Sequence, residues 1–255
     1  MMKKCRDTIT IAERCLLLSS RNPDTFLTGI ILPALMMALF VALFGKLVQI
    51  EGEHYVNYIV PGILLQCIGQ CSSVTAIMVN RDITAGMVSR YFTMPVKQSA
   101  VLKGHVLAAF VRNSVTSVVV LLAAMLLGFR LKANLTDWCV ILVLLSGTIL
   151  ALSWAAVFVG IKAKSAEGAS ALSAFVIVLP YLSSGFVPVD SLPKVLRTFA
   201  QYQPMTPIMD SMRAAFAGES FAMETFLEGV FWCIILGTVF FFASNRAVRK
   251  RISGN

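Results

Sequence analysis

The side chains that could do chemistry are few and lie far apart in this sequence. The two histidines, His54 and His105, fall on opposite sides of the membrane in the predicted topology and cannot act together, and neither has a cysteine nearby at the spacing of a zinc site. Glu228 is the one carboxylate inside an apolar run, about one turn from its start. Proton-driven transport generally needs titratable groups near mid-membrane. The position of Glu228 therefore favours an interfacial acid in contact with water or a loop.

Motifs for nucleotide binding and hydrolysis are missing from the sequence. It has no GxxxxGK[ST] loop to cradle phosphates, no HExxH and no GxSxG. The six cysteines form no CxxC pair. Cys67 and Cys71 share a helix face, but buried thiols are ordinary small core residues. The chain has no evident energy source of its own, which suggests a partner that supplies one, and we expect no cofactor in it.

Composition indicates a membrane protein. The chain is 57% hydrophobic and only 14% charged, whereas soluble domains carry about 25% charged residues. Six segments approach the roughly 20 apolar residues that cross a bilayer. We therefore predict an all-α integral membrane protein whose single domain, 1–255, has six transmembrane helices. The predicted spans are 26–44, 58–79, 106–129, 138–160, 169–186 and 225–243.

The basic residues indicate the orientation of these spans. They concentrate at the two termini, in 80–105 and in 161–168, and cytoplasmic loops are the ones enriched in Lys and Arg. Both termini and 80–105 are thus predicted to be cytoplasmic, and 187–224 to be external. The net charge of +9 is spread over separate segments, which argues against a nucleic-acid partner.

Residues 1–21 form a predicted amphipathic helix. Ile9, Ala12 and Leu16 recur at helical spacing, which suits a helix lying in the membrane interface. A short cytosolic tail helix is the alternative.

Polar residues also occur inside the predicted spans. Gln66 and Gln70 lie in the second span, where polar side chains either join helices or line a substrate path. Arg112, about two turns inside the third span, is expected to extend towards the cytoplasmic headgroups. Pairing in the interior is its alternative.

The external segment 187–224 has mixed polarity. Leu192, Val195, Leu196 and Phe199 repeat at helical spacing, as do Ile208, Met212, Ala215 and Phe216. We predict two short amphipathic helices separated by 203–207 and folded back at one membrane face. The prolines of this segment are Pro188, Pro193, Pro204 and Pro207.

The order and spacing of these features resemble a known family. Between the second and third spans runs the pattern Asp82-x3-Gly86-x3-Arg90-x4-Pro95-x6-Leu102-x-Gly104. Together with YIVPGIL at the second span and FVPVDSLP and QPMTP before the last, it resembles the ABC-2 type exporter permeases. The daunorubicin-resistance (Drr-type) group is the most similar, and the likeness covers nearly the whole chain.

This resemblance implies a role and partners. Permeases of this kind pair, and we expect a homodimer here, with a related permease as the alternative partner. They bind ATPase subunits that hold ATP and Mg²⁺. The contact is made by an interfacial N-terminal helix and a coupling helix after the second span, with Asp82, Gly86, Arg90 and Pro95 as the matching positions. The resemblance also implies that the external segment 187–224 forms a re-entrant helical hairpin. The protein itself is expected in the bacterial cytoplasmic membrane.

The resemblance also implies a class of cargo. The expected cargo is a hydrophobic or amphiphilic drug, or alternatively a lipid, lipid-linked glycan or peptide. A self-contained channel or ion-driven carrier and a membrane scaffold are the alternatives from other classes.

Overall fold

The computed structural model describes residues 2–21, 23–45, 55–87, 98–186, 189 and 193–253. Over these residues the chain is all-helical, as predicted, with nine α-helices and one 3₁₀ turn, Leu179–Leu182, that follows the sixth helix. The helices are α1 Met2–Ser20, α2 Pro23–Phe44, α3 Tyr55–Thr84, α4 Gln98–Leu126, α5 Leu135–Lys162, α6 Ala166–Val178, α7 Lys194–Tyr202, α8 Met205–Ala217 and α9 Met223–Ser253.

Four of the described helices are long and apolar enough to cross a membrane, namely α3, α4, α5 and α9. Two shorter apolar helical segments, Gly29–Phe44 and Ala166–Leu182, correspond to the first and fifth predicted spans. In the latter, Pro180 ends the α-helical pattern and begins a 3₁₀ turn, because proline lacks the N–H that would continue the ladder. The count of six spans stays a prediction.

Helix α3 is the centre of the bundle. It contacts α2, α4, α5, α6 and α8, and most of its length is buried on every side. A helix that is apolar all round is one that other helices enclose. The main hydrophobic core forms around it, with fully buried side chains such as Ile63, Leu64, Leu144 and Met209.

Both described ends of the interval 80–105, which was predicted to be a loop, are helical. Helix α3 continues to Thr84 and α4 begins at Gln98, so the interval's two described ends belong to long helices. Its polar residues there are held by contacts with other helices, described below. The stretch 88–97, which includes Arg90 and Pro95, lies outside the described residues.

Two helices occupy the segment predicted as a hairpin, and prolines mark their starts. Pro193 precedes α7 and Pro204 precedes α8. Pro207 lies in the first turn of α8, where its missing N–H has no partner to lose. Pro188 and Leu192 lie outside the described residues.

The two helices differ in how they pack. The apolar stripe of α8, formed by Ile208, Met212, Ala215 and Phe216, is buried. In α7, by contrast, Val195 and Phe199 are exposed. The placement of this segment outside the membrane stays a prediction.

Candidate functional site

Four side chains from three helices meet where α3 ends, and we call them the Asp82 cluster. They are Arg14 and Cys15 of α1, Asp82 of α3 and His105 of α4. Arg14 Nη1 and Nη2 donate to the two carboxylate oxygens of Asp82 at 2.8 and 3.0 Å. This two-pronged geometry is the strong, orientation-specific form of an ion pair.

His105 completes the cluster from the other side of the carboxylate. Its Nε2 lies 3.2 Å from Asp82 Oδ2, and its Nδ1 lies 3.5 Å from Cys15 Sγ. His105 and Cys15 are almost fully buried, and the Asp82 side chain is only 14% exposed. The cluster therefore joins α1, α3 and α4 by charged hydrogen bonds that are largely shielded from solvent.

The combination of cysteine, histidine and aspartate in the cluster is that of a nucleophilic triad, but the geometry is structural. The Cys15 thiol is 1% exposed and enclosed between helices, so a substrate has no approach to it. Cys15 and Asp82 contact opposite nitrogens of the imidazole, which is also the arrangement of a catalytic triad, so the enclosure of the thiol is what argues against catalysis. Among the described residues no group of His, Cys, Asp and Glu could hold a metal ion.

An apolar contact between α1 and α4 supports the cluster. Ile11, Ala12 and Cys15 pack against Val101 and Ala108. Ile9 is 44% exposed and Ile11 is buried, so the predicted stripe of Ile9, Ala12 and Leu16 in the membrane interface stays a prediction.

Gly104 allows α1 to approach α4 this closely. A Cβ atom at this position would lie 2.6 Å from Ile11 Cγ2 and 3.2 Å from the Thr8 carbonyl oxygen. Any larger residue would have to push the two helices apart. The glycine in the sequence pattern therefore has a packing reason.

Arg112 forms a second connection among the same three helices. Its guanidinium donates to Thr75 Oγ1, to the Cys71 carbonyl at 3.2 Å and to Ser19 Oγ at 3.4 Å. The side chain is 5% exposed. The expectation that it extends to the headgroups is therefore wrong, and its polar neighbours on α3 and α1 explain why it points inward.

Two further contacts extend the connection to α5 and α9. Asn80, buried near the end of α3, donates from Nδ2 to the carbonyls of Gly160 and Ala163 at 3.1 and 2.7 Å. Arg251 of α9 donates to the Ile161 carbonyl. A displacement at the end of α3 would therefore reach four other helices through named hydrogen bonds.

Gly86 ends helix α3. Its φ of +68° is in the left-handed region that favours glycine, and its N–H bonds the Ile83 carbonyl at 3.1 Å. The chain leaves α3 through this turn towards 88–97. Of the four predicted coupling positions, the structure thus places Asp82 in the cluster and Gly86 at the helix end, with Arg90 and Pro95 outside the described residues.

The two glutamines of α3 differ in their surroundings. Gln66 is 3% exposed, and its Oε1 has no hydrogen-bond partner among the described residues. Gln70 is half-buried, one turn further along α3. The structure does not bring either of them to the Asp82 cluster.

A second polar cluster lies at the opposite end of α3. Arg213 of α8 donates to Asp210 Oδ1 and the Ser184 carbonyl, both at 2.6 Å, and to the Tyr58 carbonyl at 3.2 Å. Its guanidinium carbon lies 3.8 Å from the centre of the Tyr58 ring, a cation–π contact. Helix α8 is thereby fixed to the start of α3.

Comparison with known proteins agrees with this architecture. A model of the ABC-2 type transporter family matches residues 6–217. The chain belongs to this family. The predicted resemblance is confirmed: this ABC-2 protein is a multi-pass membrane protein and is similar to drug-resistance permeases.

Two relatives similar to this ABC-2 protein are named as drug-resistance permeases. The daunorubicin resistance ABC transporter permease protein DrrB1 of Streptomyces coeruleorubidus is 24% identical over 237 residues, which cover 92% of this chain and 83% of that protein. The probable doxorubicin resistance ABC transporter permease protein DrrC of Mycobacterium tuberculosis is 28% identical over 210 residues, covering 81% and 75%.

Sequence reasoning missed three members of the Asp82 cluster in this ABC-2 protein. Arg14 and Cys15 looked like ordinary residues of a charged N-terminal arm, and His105 looked like the polar end of a loop. One signal was present, since His105 and Arg112 are seven residues apart and lie on one face of α4. Thr75 and Asp82 have the same spacing on α3.

Proposed function

We propose that this chain is the membrane subunit of an ATP-driven exporter, in which two copies bind separate ATPase subunits on the cytoplasmic side. The ATPase contacts lie in 80–105, with Asp82, Gly86, Arg90 and Pro95 as the coupling positions. ATP and Mg²⁺ are held by the partner. The family match supports the class of protein.

The Asp82 cluster is the observation that carries the coupling proposal. The chain passes into 88–97 directly after a helix end that is tied to α1 and α4 by charged hydrogen bonds. A force applied to 88–97 then moves three helices together instead of bending one. Stiff elements with discrete positions are what transmit closure of one subunit to another.

The test replaces residues 88–97 with a Gly-Ser linker of equal length and measures co-purification of the ATPase subunit. We expect the ATPase to be lost. The matched control is a Gly-Ser replacement of 46–54, the loop predicted on the other side of the membrane, which keeps the ATPase bound. Unchanged binding after replacement of 88–97 would contradict the proposal.

The proposed contact between two copies lies at the exposed apolar side chains of α6 and α7. Phe175, Val178 and Val195 are 74%, 48% and 83% exposed. In the homodimer we place this face against the second copy, beside the transport path. Cross-linking through Phe175→Cys is expected to give a dimer, whereas Phe231→Cys on α9 (60% exposed in the native chain) gives none.

The proposed cargo is a hydrophobic or amphiphilic drug-like molecule. The names of the relatives include daunorubicin and doxorubicin, which supports a drug-like cargo. ATP-dependent uptake of an anthracycline by inverted vesicles containing the chain and its ATPase is the expected result. Transport by the chain without an ATPase would favour the channel or ion-driven carrier instead.

A further inference from the structure

Two cavities lie one after the other along the seam between α5 and α9. A small pocket of about 240 Å³ is bounded by Ile161, Ala163 and Ala247 at one end of the two helices. A longer groove of about 720 Å³ continues along the same pair of helices past Trp154. From Trp154 to Ile161 is seven helical residues, or about 10 Å.

The small pocket is strongly basic. Lys162, Lys164, Lys250 and Arg251 line it, and no carboxylate is among its lining residues. The three lysines are exposed, and no ion pair joins them to any residue that the structure describes. Their charge is therefore available to a ligand.

The carbonyl groups at the end of α5 do not compete for these lysines. Arg251 donates to the Ile161 carbonyl, and Asn80 donates to those of Gly160 and Ala163. These bonds satisfy groups that would otherwise attract cations to a helix C-terminus. The pocket thus presents positive charge to its opening.

The groove is apolar and opens outward. Its lining includes Leu150, Trp154, Gly237, Phe241 and Phe242. Phe242 is 64% exposed and Ile234, on the same side of α9, is 62% exposed. In a membrane protein such a surface faces hydrocarbon chains.

From this arrangement we infer that the α5–α9 seam binds an anionic phospholipid, with its phosphate in the basic pocket and one acyl chain in the apolar groove. Basic pockets between membrane helices suit lipid headgroups. The pocket lies at the ends of two spanning helices, where phosphates lie, and the groove begins about where the acyl chain begins. An acidic protein segment would match the pocket alone and would leave the groove unoccupied.

The test uses the purified full-length chain and native mass spectrometry to compare phosphatidylglycerol with phosphatidylcholine of the same acyl chains. Tighter binding of phosphatidylglycerol is expected. The double variant Lys162→Gln/Lys250→Gln should weaken that binding about 25-fold, since each cation near a headgroup contributes about fivefold. The matched control, Arg246→Gln/Arg249→Gln, removes two exposed charges outside the pocket and should change it little.

A second pair of variants tests the groove. Thr238→Trp fills it, whereas Val239→Trp adds the same bulk at an exposed position outside its lining. Binding of phosphatidylglycerol should fall severalfold in Thr238→Trp alone, while binding of glycerol 3-phosphate stays unchanged. Circular dichroism of all four variants reports whether the helices remain folded.

Three results would overturn the inference. Equal weakening in Arg246→Gln/Arg249→Gln would mean a diffuse surface potential without a site. Glycerol 3-phosphate binding as tightly as the lipid, with Thr238→Trp without effect, would mean a site for a free anion. Loss of ATPase co-purification in Lys162→Gln/Lys250→Gln, with lipid binding intact, would make the pocket a protein-docking surface.

Discussion

Arg14 and Asp82 are 68 positions apart in the chain, yet two hydrogen bonds of 2.8 and 3.0 Å join their side chains. Arg14 belongs to α1 and Asp82 to the last turn of α3, just before the chain enters 88–97. The N-terminal helix is thereby fixed to the end of the central helix. In the proposed exporter both elements would respond to the ATPase as one body.

The first prediction concerns this pair. Asp82→Asn should lower the free energy of unfolding by about 1–3 kcal/mol, because Arg14 and His105 lose a charged acceptor that is largely shielded from water. Cargo-stimulated ATP hydrolysis by the complex should fall as well. Thermal unfolding in detergent and ATPase assays measure the two effects.

A double-mutant cycle with Arg14→Gln isolates the interaction between the two side chains. Arg14→Gln should cost less in the Asp82→Asn background than in the native chain, by about 0.5–3 kcal/mol. The control is Glu13→Gln, which changes an exposed charge on the same turn of α1. Additive effects of the two substitutions would mean that the pair contributes nothing to the attachment of α1.

The second prediction concerns the contact of α1 with α4 at Gly104. Gly104→Ala should destabilise the protein by about 1–3 kcal/mol, because the added Cβ would lie 2.6 Å from Ile11 Cγ2. Ile11→Ala in the same chain should restore part of the loss by making room. Thermal unfolding and protease sensitivity of α1 are the measurements.

Gly237→Ala is the matched control for Gly104→Ala. Gly237 also lies inside a helix, but its nearest neighbour would be Ala151 Cα at 3.9 Å, an ordinary contact. Since alanine has the higher helix propensity, this substitution should be neutral or stabilising. If Gly104→Ala behaved in the same way, the close approach of α1 and α4 would be refuted.

The helices were predictable from the sequence because apolar segments of membrane length have few alternatives. What could not be predicted is which face of each helix meets which neighbour. Ile9 and Ile11 lie two residues apart and are equally apolar, and only the position of α4 decides that Ile11 is buried. The inward direction of Arg112 likewise depends on Thr75 and Ser19, which come from two other helices.

In the candidate site, too, the sequence indicated some residues but not the contacts that they make. Asp82 stood out as the sole acid of a basic interval, and Gly86 as a position that matches the family pattern. Their structural reasons, an ion pair with Arg14 and a positive φ, depend on how the helices come together in three dimensions. His105 was assigned to a loop because polar residues near the end of a helix look like loop residues.

The third prediction concerns Arg112. Arg112→Lys should destabilise the protein by about 1–3 kcal/mol although the charge is retained, because one ammonium cannot reach Ser19, Thr75 and the Cys71 carbonyl together. Hydrogen exchange should become faster in α1. Lys103→Gln, on an exposed position of the same helix, is the control and should leave exchange in α1 unchanged. Native-like exchange in Arg112→Lys would show that the planar guanidinium of Arg112 is not needed to hold α1 in place.

The last prediction concerns the other end of α3, where Arg213 holds α8 to Tyr58 and Ser184. Arg213→Lys keeps a cation but loses the planar group that both stacks on the Tyr58 ring and donates to the Ser184 and Tyr58 carbonyls. We expect hydrogen exchange to accelerate in Met205–Ala217 while exchange in α1 stays native. Lys194→Ala, at an exposed position, tests for a general effect of charge. Faster exchange throughout the chain in Arg213→Lys would mean that this cluster stabilises the whole bundle and not α8 in particular.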